Sequence, residues 1–168
     1  MQIIVLVDEN WAIGKAGDQI TRIKADLKRF KELTEDTILV YGRNTLDTFP
    51  GGKVLPGREN WVLSNKDSEI DGAAKVFNDL DSLLRCIKEA EAQGKKVSCI
   101  GGGSVYKQLL PYTDTCYVTY IYKEYEDTDT FFPDISKMPE WQLVSQSELY
   151  TAGKKDPIKY RFLNYERK

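Results

Sequence analysis

Short β-branched runs separated by amphipathic helical stretches leave this chain few ways to fold. The runs lie at Ile3 to Val7, Thr37 to Tyr41, Asn60 to Leu63, Lys96 to Ile100, Tyr117 to Tyr122, Trp141 to Ser147 and Lys159 to Tyr165. Helical periodicity is clearest over Lys24 to Leu33, Leu80 to Ala92 and Ser104 to Leu110, the last stopped by Pro111. Apolar strands that alternate with helices belong in a mainly parallel sheet covered on both faces. The last two runs break the alternation. Between them Thr151 to Pro157 carries Gly153 and an Asp156-Pro157 turn signal, with no room for a crossover helix, so an antiparallel hairpin is expected to close one edge. With 168 residues and 41% hydrophobic content the chain suits one α/β domain, residues 1–168, around one core.

Composition then removes whole classes of chemistry. The chain has no histidine, which excludes Ser-His-Asp and Cys-His nucleophilic machinery and imidazole zinc sites. Cys86, Cys99 and Cys116 are odd in number and lack CxxC spacing, so neither a disulfide framework nor a metal site is expected. A net charge of −2 argues against nucleic acid or a polybasic membrane contact as partner. Met1-Gln2 runs straight into Ile3 to Val7 without the pattern of a signal peptide, and no stretch could span a bilayer, so a cytoplasmic protein is expected.

In open sheets of this kind ligands sit beyond the carboxyl ends of the strands. The run Lys96 to Ile100 ends in Gly101-Gly102-Gly103 before a helix start at Ser104-Val105-Tyr106. Such a turn lets backbone approach a diphosphate closely, and the helix dipole adds roughly 0.3–1 kcal/mol for an anion. A glycine turn that only reverses the chain has the same composition, and neither GxGxxG nor GxxxxGK[ST] is present. Thr37 to Tyr41 ends in Gly42-Arg43-Asn44-Thr45, and Asn60 to Leu63 ends in Ser64-Asn65-Lys66. Each offers small hydrogen-bonding groups and one cation, as a phosphorylated ribose requires.

Asp26 is the most informative position. Ile23, Leu27, Phe30 and Leu33 share one apolar arc of their helix, with Lys24, Ala25, Lys28, Arg29, Lys31 and Glu32 opposite, and Asp26 projects into the apolar arc. A carboxylate there costs several kcal/mol unless paired, and desolvation raises its pKa above about 3.9. It either braces a neighbouring loop or the helix start, or is a lone acid that recognises and helps protonate an amidine-like heterocycle. Arg58, in Leu55-Pro56-Gly57-Arg58, could clamp a substrate carboxylate at two points, although an exposed arginine is the commoner outcome.

Taken together, the segments Asn10-Trp-Ala-Ile-Gly14, Ala25-Asp-Leu-Lys-Arg-Phe-Lys31, Gly42-Arg-Asn-Thr45, Leu55-Pro-Gly-Arg58, Ile100-Gly-Gly-Gly-Ser-Val-Tyr106 and Asp129-Thr-Phe-Phe-Pro133 resemble, in order, the dihydrofolate reductase family. The resemblance implies an eight-stranded sheet with flanking helices, dihydrofolate as substrate, NADPH as cofactor, and a monomer. By position, Asp26 is implied to bind the 2-amino group and N3 of the pterin and to promote protonation at N5. Ile4, Leu27 and Phe30 are implied to line the pterin and benzoyl pocket, Arg58 to hold the glutamate carboxylate, and Thr119 to hydrogen-bond Asp26 and the pterin amine. For the cofactor, Leu6 is implied to meet the carboxamide, and Ile13, Gly14, Gly17, Asp18 and Gln19 to belong to a closing loop. Gly42, Arg43, Asn44, Thr45, Leu63, Ser64 and Asn65 are implied to take the phosphates and adenosine ribose. Ile100, Gly101, Gly102, Gly103, Ser104, Val105 and Tyr106 are implied to surround the diphosphate, with Thr130 nearby.

The departures cluster before the acid. Where the family usually reads Pro-Trp-x-x-Pro-x-Asp, this chain has Ile20-Thr21-Arg22-Ile23-Lys24-Ala25-Asp26, so the usual water-holding tryptophan is Thr21. Ser104 stands where some members carry an arginine, leaving Arg43, Asn65 and Lys66 to favour NADPH over NADH. Two alternatives stay open at this point: a reductase similar to the pyrimidine reductases of riboflavin synthesis, which gives no reason for Asp26 and Arg58 together, and a non-catalytic nucleotide-binding module.

Overall fold

The computed structural model describes residues Met1–Lys168. In chain order the elements are β1 (Gln2–Val7), β2 (Ala12–Lys15), β3 (Asp18–Gln19), α1 (Lys24–Thr34), β4 (Thr37–Gly42), α2 (Arg43–Leu46), β5 (Glu59–Leu63) and β6 (Lys75–Phe77). They continue with α3 (Leu80–Ala92), β7 (Lys96–Cys99), α4 (Gly103–Leu109), β8 (Thr115–Ile121), β9 (Thr130–Phe131), β10 (Trp141–Gln146), β11 (Tyr150–Ala152) and β12 (Ile158–Arg167).

The main sheet runs β10-β12-β8-β1-β7-β4-β5-β6, eight strands, with β11 attached to β12. Every pairing from β8 across to β6 is parallel, and β12 is antiparallel to both β8 and β10. The expected hairpin therefore forms, with Trp141 opposite Arg167, and β10 rather than β12 takes the edge. The Gly153 to Pro157 turn joins β12 to an additional short strand, β11, so Thr151 and Ala152 pair with Lys159 and Ile158 instead of lying in the connecting loop that the turn signal suggests. Buried/exposed alternation is absent from β4 in the sheet: all six of its residues are buried, as a strand covered on both faces requires.

One face of the sheet carries the larger core, where Ile3, Val5, Val7, Val40, Val97 and Val118 meet Leu83 and Ile87 of α3 and Leu109 of α4. Leu83 and Ile87 lie one turn apart on a single stripe, and each contributes roughly 1.5–3 kcal/mol by leaving water. The Asp79 carboxylate caps this helix by accepting from the Ser82 N–H at 2.8 Å. On the opposite face Leu39, Tyr41, Leu46, Val62 and Ile100 form a smaller cluster against which Phe30 of α1 packs. A second, three-stranded sheet, β3-β2-β9, crosses near the ends of the parallel strands. Its entry is braced by buried Asp8, which accepts from the N–H groups of Asn10 (2.9 Å), Ala12 (2.9 Å) and Tyr125 (3.0 Å). No helix is long and apolar enough to cross a membrane.

Candidate active site

The site begins with a gap in the sheet. β1 pairs with β7 only through Gln2–Ser98 and Ile3–Cys99, while its pairing with β8 continues to Val7. Beyond Ile3 the two central strands part, and the Ile4 carbonyl, released from the ladder, accepts the Tyr106 hydroxyl at 2.7 Å. A cavity of about 640 Å³ occupies the opening, with Ile4, Val5 and Leu6 along its wall. That volume suits a sizeable organic ligand.

At one end stands Asp26, in the first turn of α1. Thr119 on β8, in register with Leu6, donates its hydroxyl to Asp26 Oδ1 at 2.5 Å. Burial pushes the Asp26 carboxyl above the ordinary carboxylate range, against the opposing pull of the Thr119 hydroxyl and the Arg29 guanidinium. Arg29 does not sit on a solvated face as the periodicity suggested. It is half-buried under β12, with its guanidinium 4.4 Å from the Phe162 ring centre, and donates Nη2 to Asn164 Oδ1 at 2.6 Å. A strand the helix period cannot register covers that side of α1.

At the other end the glycine turn joins β7 to α4. A Cβ on Gly103 would lie 2.5 Å from Thr130 Cγ2, and one on Gly102 3.2 Å from Thr45 Oγ1, so these positions present bare backbone to the cavity. Gly42 at the end of β4 is similarly crowded, its Cβ position 2.9 Å from Val105 Cγ2. Between β8, which holds Thr119, and β5, which leads to Ser64, lie four inter-strand steps, roughly 19 Å. Over the opening, Ile13, Gly14, Gly17, Asp18 and Gln19 belong to or adjoin the small sheet, where Ala16 N–H donates to Asp129 at 2.9 Å and Arg22 pairs with Asp18 at 2.8 Å.

The cavity wall contains Ile4, Leu6, Asp26, Phe30, the five loop residues, Gly42 to Thr45, Leu63 to Asn65, Ile100 to Tyr106 and Thr130. Three expected positions lie outside it. Thr119 is buried behind Asp26 and reaches the cavity only through that carboxylate. Leu27 is turned away from the wall and 48% exposed, because Asp26 and Phe30, four residues apart, take the inward stripe. Arg58 donates Nη1 to Thr34 Oγ1 at 2.9 Å and borders a separate hollow of about 250 Å³ near Lys95. Sequence reasoning missed Val5, Thr48, Asn78, Asp79, Leu80 and Gln108. The Asp79-x-x-Ser82 helix start was a usable signal for two of these; the others carry none.

A parallel sheet parted at its centre, with a desolvated acid at one end of the gap and a glycine-lined backbone at the other, has the layout of an α/β enzyme whose cleft lies at the strand ends. The comparisons identify which one. The family model described as dihydrofolate reductase matches residues 1–167. Among similar proteins, dihydrofolate reductase of Bacillus subtilis (strain 168) is 36% identical, covering 100% of this chain and 95% of its own. That of Staphylococcus haemolyticus is 30% identical over 99% of this chain and 95% of its own, and the viral dihydrofolate reductase of Saimiriine herpesvirus 2 (strain 488) is 33% identical over 99% and 84%. The chain belongs to the dihydrofolate reductase family and is an oxidoreductase of that class.

Proposed function

We propose that the protein reduces 7,8-dihydrofolate to tetrahydrofolate with NADPH, and that Asp26 orients the pterin and supports protonation at N5. The observation that carries this reading is the Asp26–Thr119 pair in the wall of the parted sheet. The buried carboxylate, acceptor on both oxygens when charged, matches the adjacent 2-amino and N3 donors of a pterin. Burial raises its pKa above that of an exposed aspartate, which makes a proton easier to hold there. Ile4, Leu6 and Phe30 exclude water around it. Arg58 is assigned to the glutamate carboxylate and Leu27 to the benzoyl group, both by position.

The residues fit the cofactor. Thr45, Tyr106 and Thr130 pack where side chains on Gly101 to Gly103 would stand, so the turn lines the cavity with backbone against which a diphosphate can lie, while Asn44, Thr45, Ser64 and Asn65 surround the far end for phosphates and ribose. Bound there, the cofactor supplies a hydride to pterin C6. Leu6 holds the carboxamide, and the Ile13 to Gln19 loop shields the two rings from water. The chain acts as a monomer in this reading. The test is to follow NADPH absorbance with and without dihydrofolate. Oxidation that depends on dihydrofolate is expected; a folded protein that binds NADPH without folate-dependent turnover, or one that responds only to a ribosylaminopyrimidine, overturns the proposal.

A further inference from the structure

Two of the polar groups at the far end of the cavity, Arg43 and Ser64, are engaged by one carboxylate. Asp67, just outside the cavity wall, accepts from Arg43 Nε at 3.1 Å and from Ser64 Oγ at 2.7 Å, both through Oδ2. Arg43 Nη1 donates to Asp47 at 2.6 Å, which leaves Nη2 without a hydrogen-bond partner. Asn78 Nδ2 donates to the Ser64 carbonyl at 2.6 Å and the Asp67 carbonyl at 2.8 Å, so it also braces this loop rather than facing outward. The Arg43 and Asp67 side chains remain 28% and 26% exposed, so the pairing lies where a ligand phosphate can compete with it.

We propose that Asp67 is a specificity-determining residue which, by occupying Arg43 and Ser64, lowers the protein's preference for a dinucleotide carrying a 2′-phosphate over one without it. This rests on the nicotinamide dinucleotide reading above. A 2′-phosphate carries close to two negative charges at neutral pH and seeks a guanidinium fork and hydroxyl donors. Here the fork meets two carboxylates, and Ser64 donates its hydroxyl hydrogen bond to one of them. The incoming phosphate therefore displaces Asp67 or accepts its repulsion, whereas a free 2′-hydroxyl asks for neither. Ser104 adds no replacement charge at the head of α4.

The test compares dinucleotide binding, by fluorescence titration without substrate, in the unaltered protein and in Asp67→Asn, which keeps an acceptor for Arg43 and removes the charge. NADPH is expected to bind about fivefold tighter in the variant, the scale of one partly screened charge pair, with NADH affinity unchanged within about twofold. Unchanged or weaker NADPH binding overturns the proposal. A second measurement does not depend on the variant's folding: the unaltered protein is expected to prefer 2′,5′-ADP over 5′-AMP by less than about tenfold, and a larger preference overturns the inference. If neither dinucleotide binds, the cofactor reading itself fails; if both bind and the charge at position 67 leaves their ratio unmoved, only the present inference fails.

Discussion

The Thr119 hydroxyl and the Asp26 carboxylate meet at 2.5 Å across 93 residues of sequence, joining β8 to the first turn of α1. This contact decides how the acid titrates. Burial raises its pKa and the threonine proton opposes the rise. Thr119→Val removes the donor and keeps the shape, so the Asp26-dependent limb of the pH–rate profile is expected to move to higher pH. A folding cost of about 1.5–3 kcal/mol should accompany it. Thr119→Ser should restore both. A limb that does not move contradicts the assignment.

Asp26→Asn separates function from stability. Turnover is expected to fall about 10²–10⁴-fold near neutral pH, the range general acid–base groups supply. Stability should change in the opposite direction. Because the folded-state pKa lies above the ordinary 3.8, the folded protein retains a proton that the unfolded chain has lost between those values, and stability falls as pH rises through that window. Above it the buried charge is fully present, and asparagine relieves it. Melts from pH 8 down to pH 4 should show a Tm gain for the variant that is largest at pH 8 and shrinks toward pH 4.

Gly103→Ala tests the bare-backbone end of the cavity. Its new methyl group would stand 2.5 Å from Thr130 Cγ2 and 3.8 Å from Ile13 Cδ1, so β9 or the covering loop must shift. A loss of about 1–3 kcal/mol is expected from overpacking, with weakened NADPH binding. Calorimetric titration alongside chemical denaturation measures both effects.

Asn60→Ala addresses the loop that carries Arg58. Buried Asn60 donates to the Leu55 and Arg58 carbonyls, each at 2.9 Å, and accepts from Leu55 N–H at 3.2 Å and the Tyr41 hydroxyl at 2.8 Å. Removing it strands several groups and should cost about 3 kcal/mol. If this loop presents Arg58 to the substrate tail, KM for dihydrofolate rises more than kcat falls. Equal changes in the two would detach Arg58 from that role.

Much of this architecture was legible from pattern. β4 and β5 carry apolar runs long enough to announce themselves, and α3 was placed at its observed limits. β6, β3 and β9 have only two or three residues, too few for a period, and form because neighbouring strands offer partners. Asp26 stood out because a charge interrupts an apolar arc. Arg29 did not, and Arg43, legible as a cation at a strand end, gave no sign of its pairing, since these contacts come from Phe162, Asn164 and Asp67, which no local window contains.

The early parting of β1 from β7 has an implication for engineering. Continuing that ladder past Ile3 would add backbone bonds and close the cavity that the parted strands hold open. Heat-hardening substitutions therefore belong at the hairpin edge or along α3; any that draw the two middle strands together trade turnover for rigidity, however well the resulting protein survives boiling.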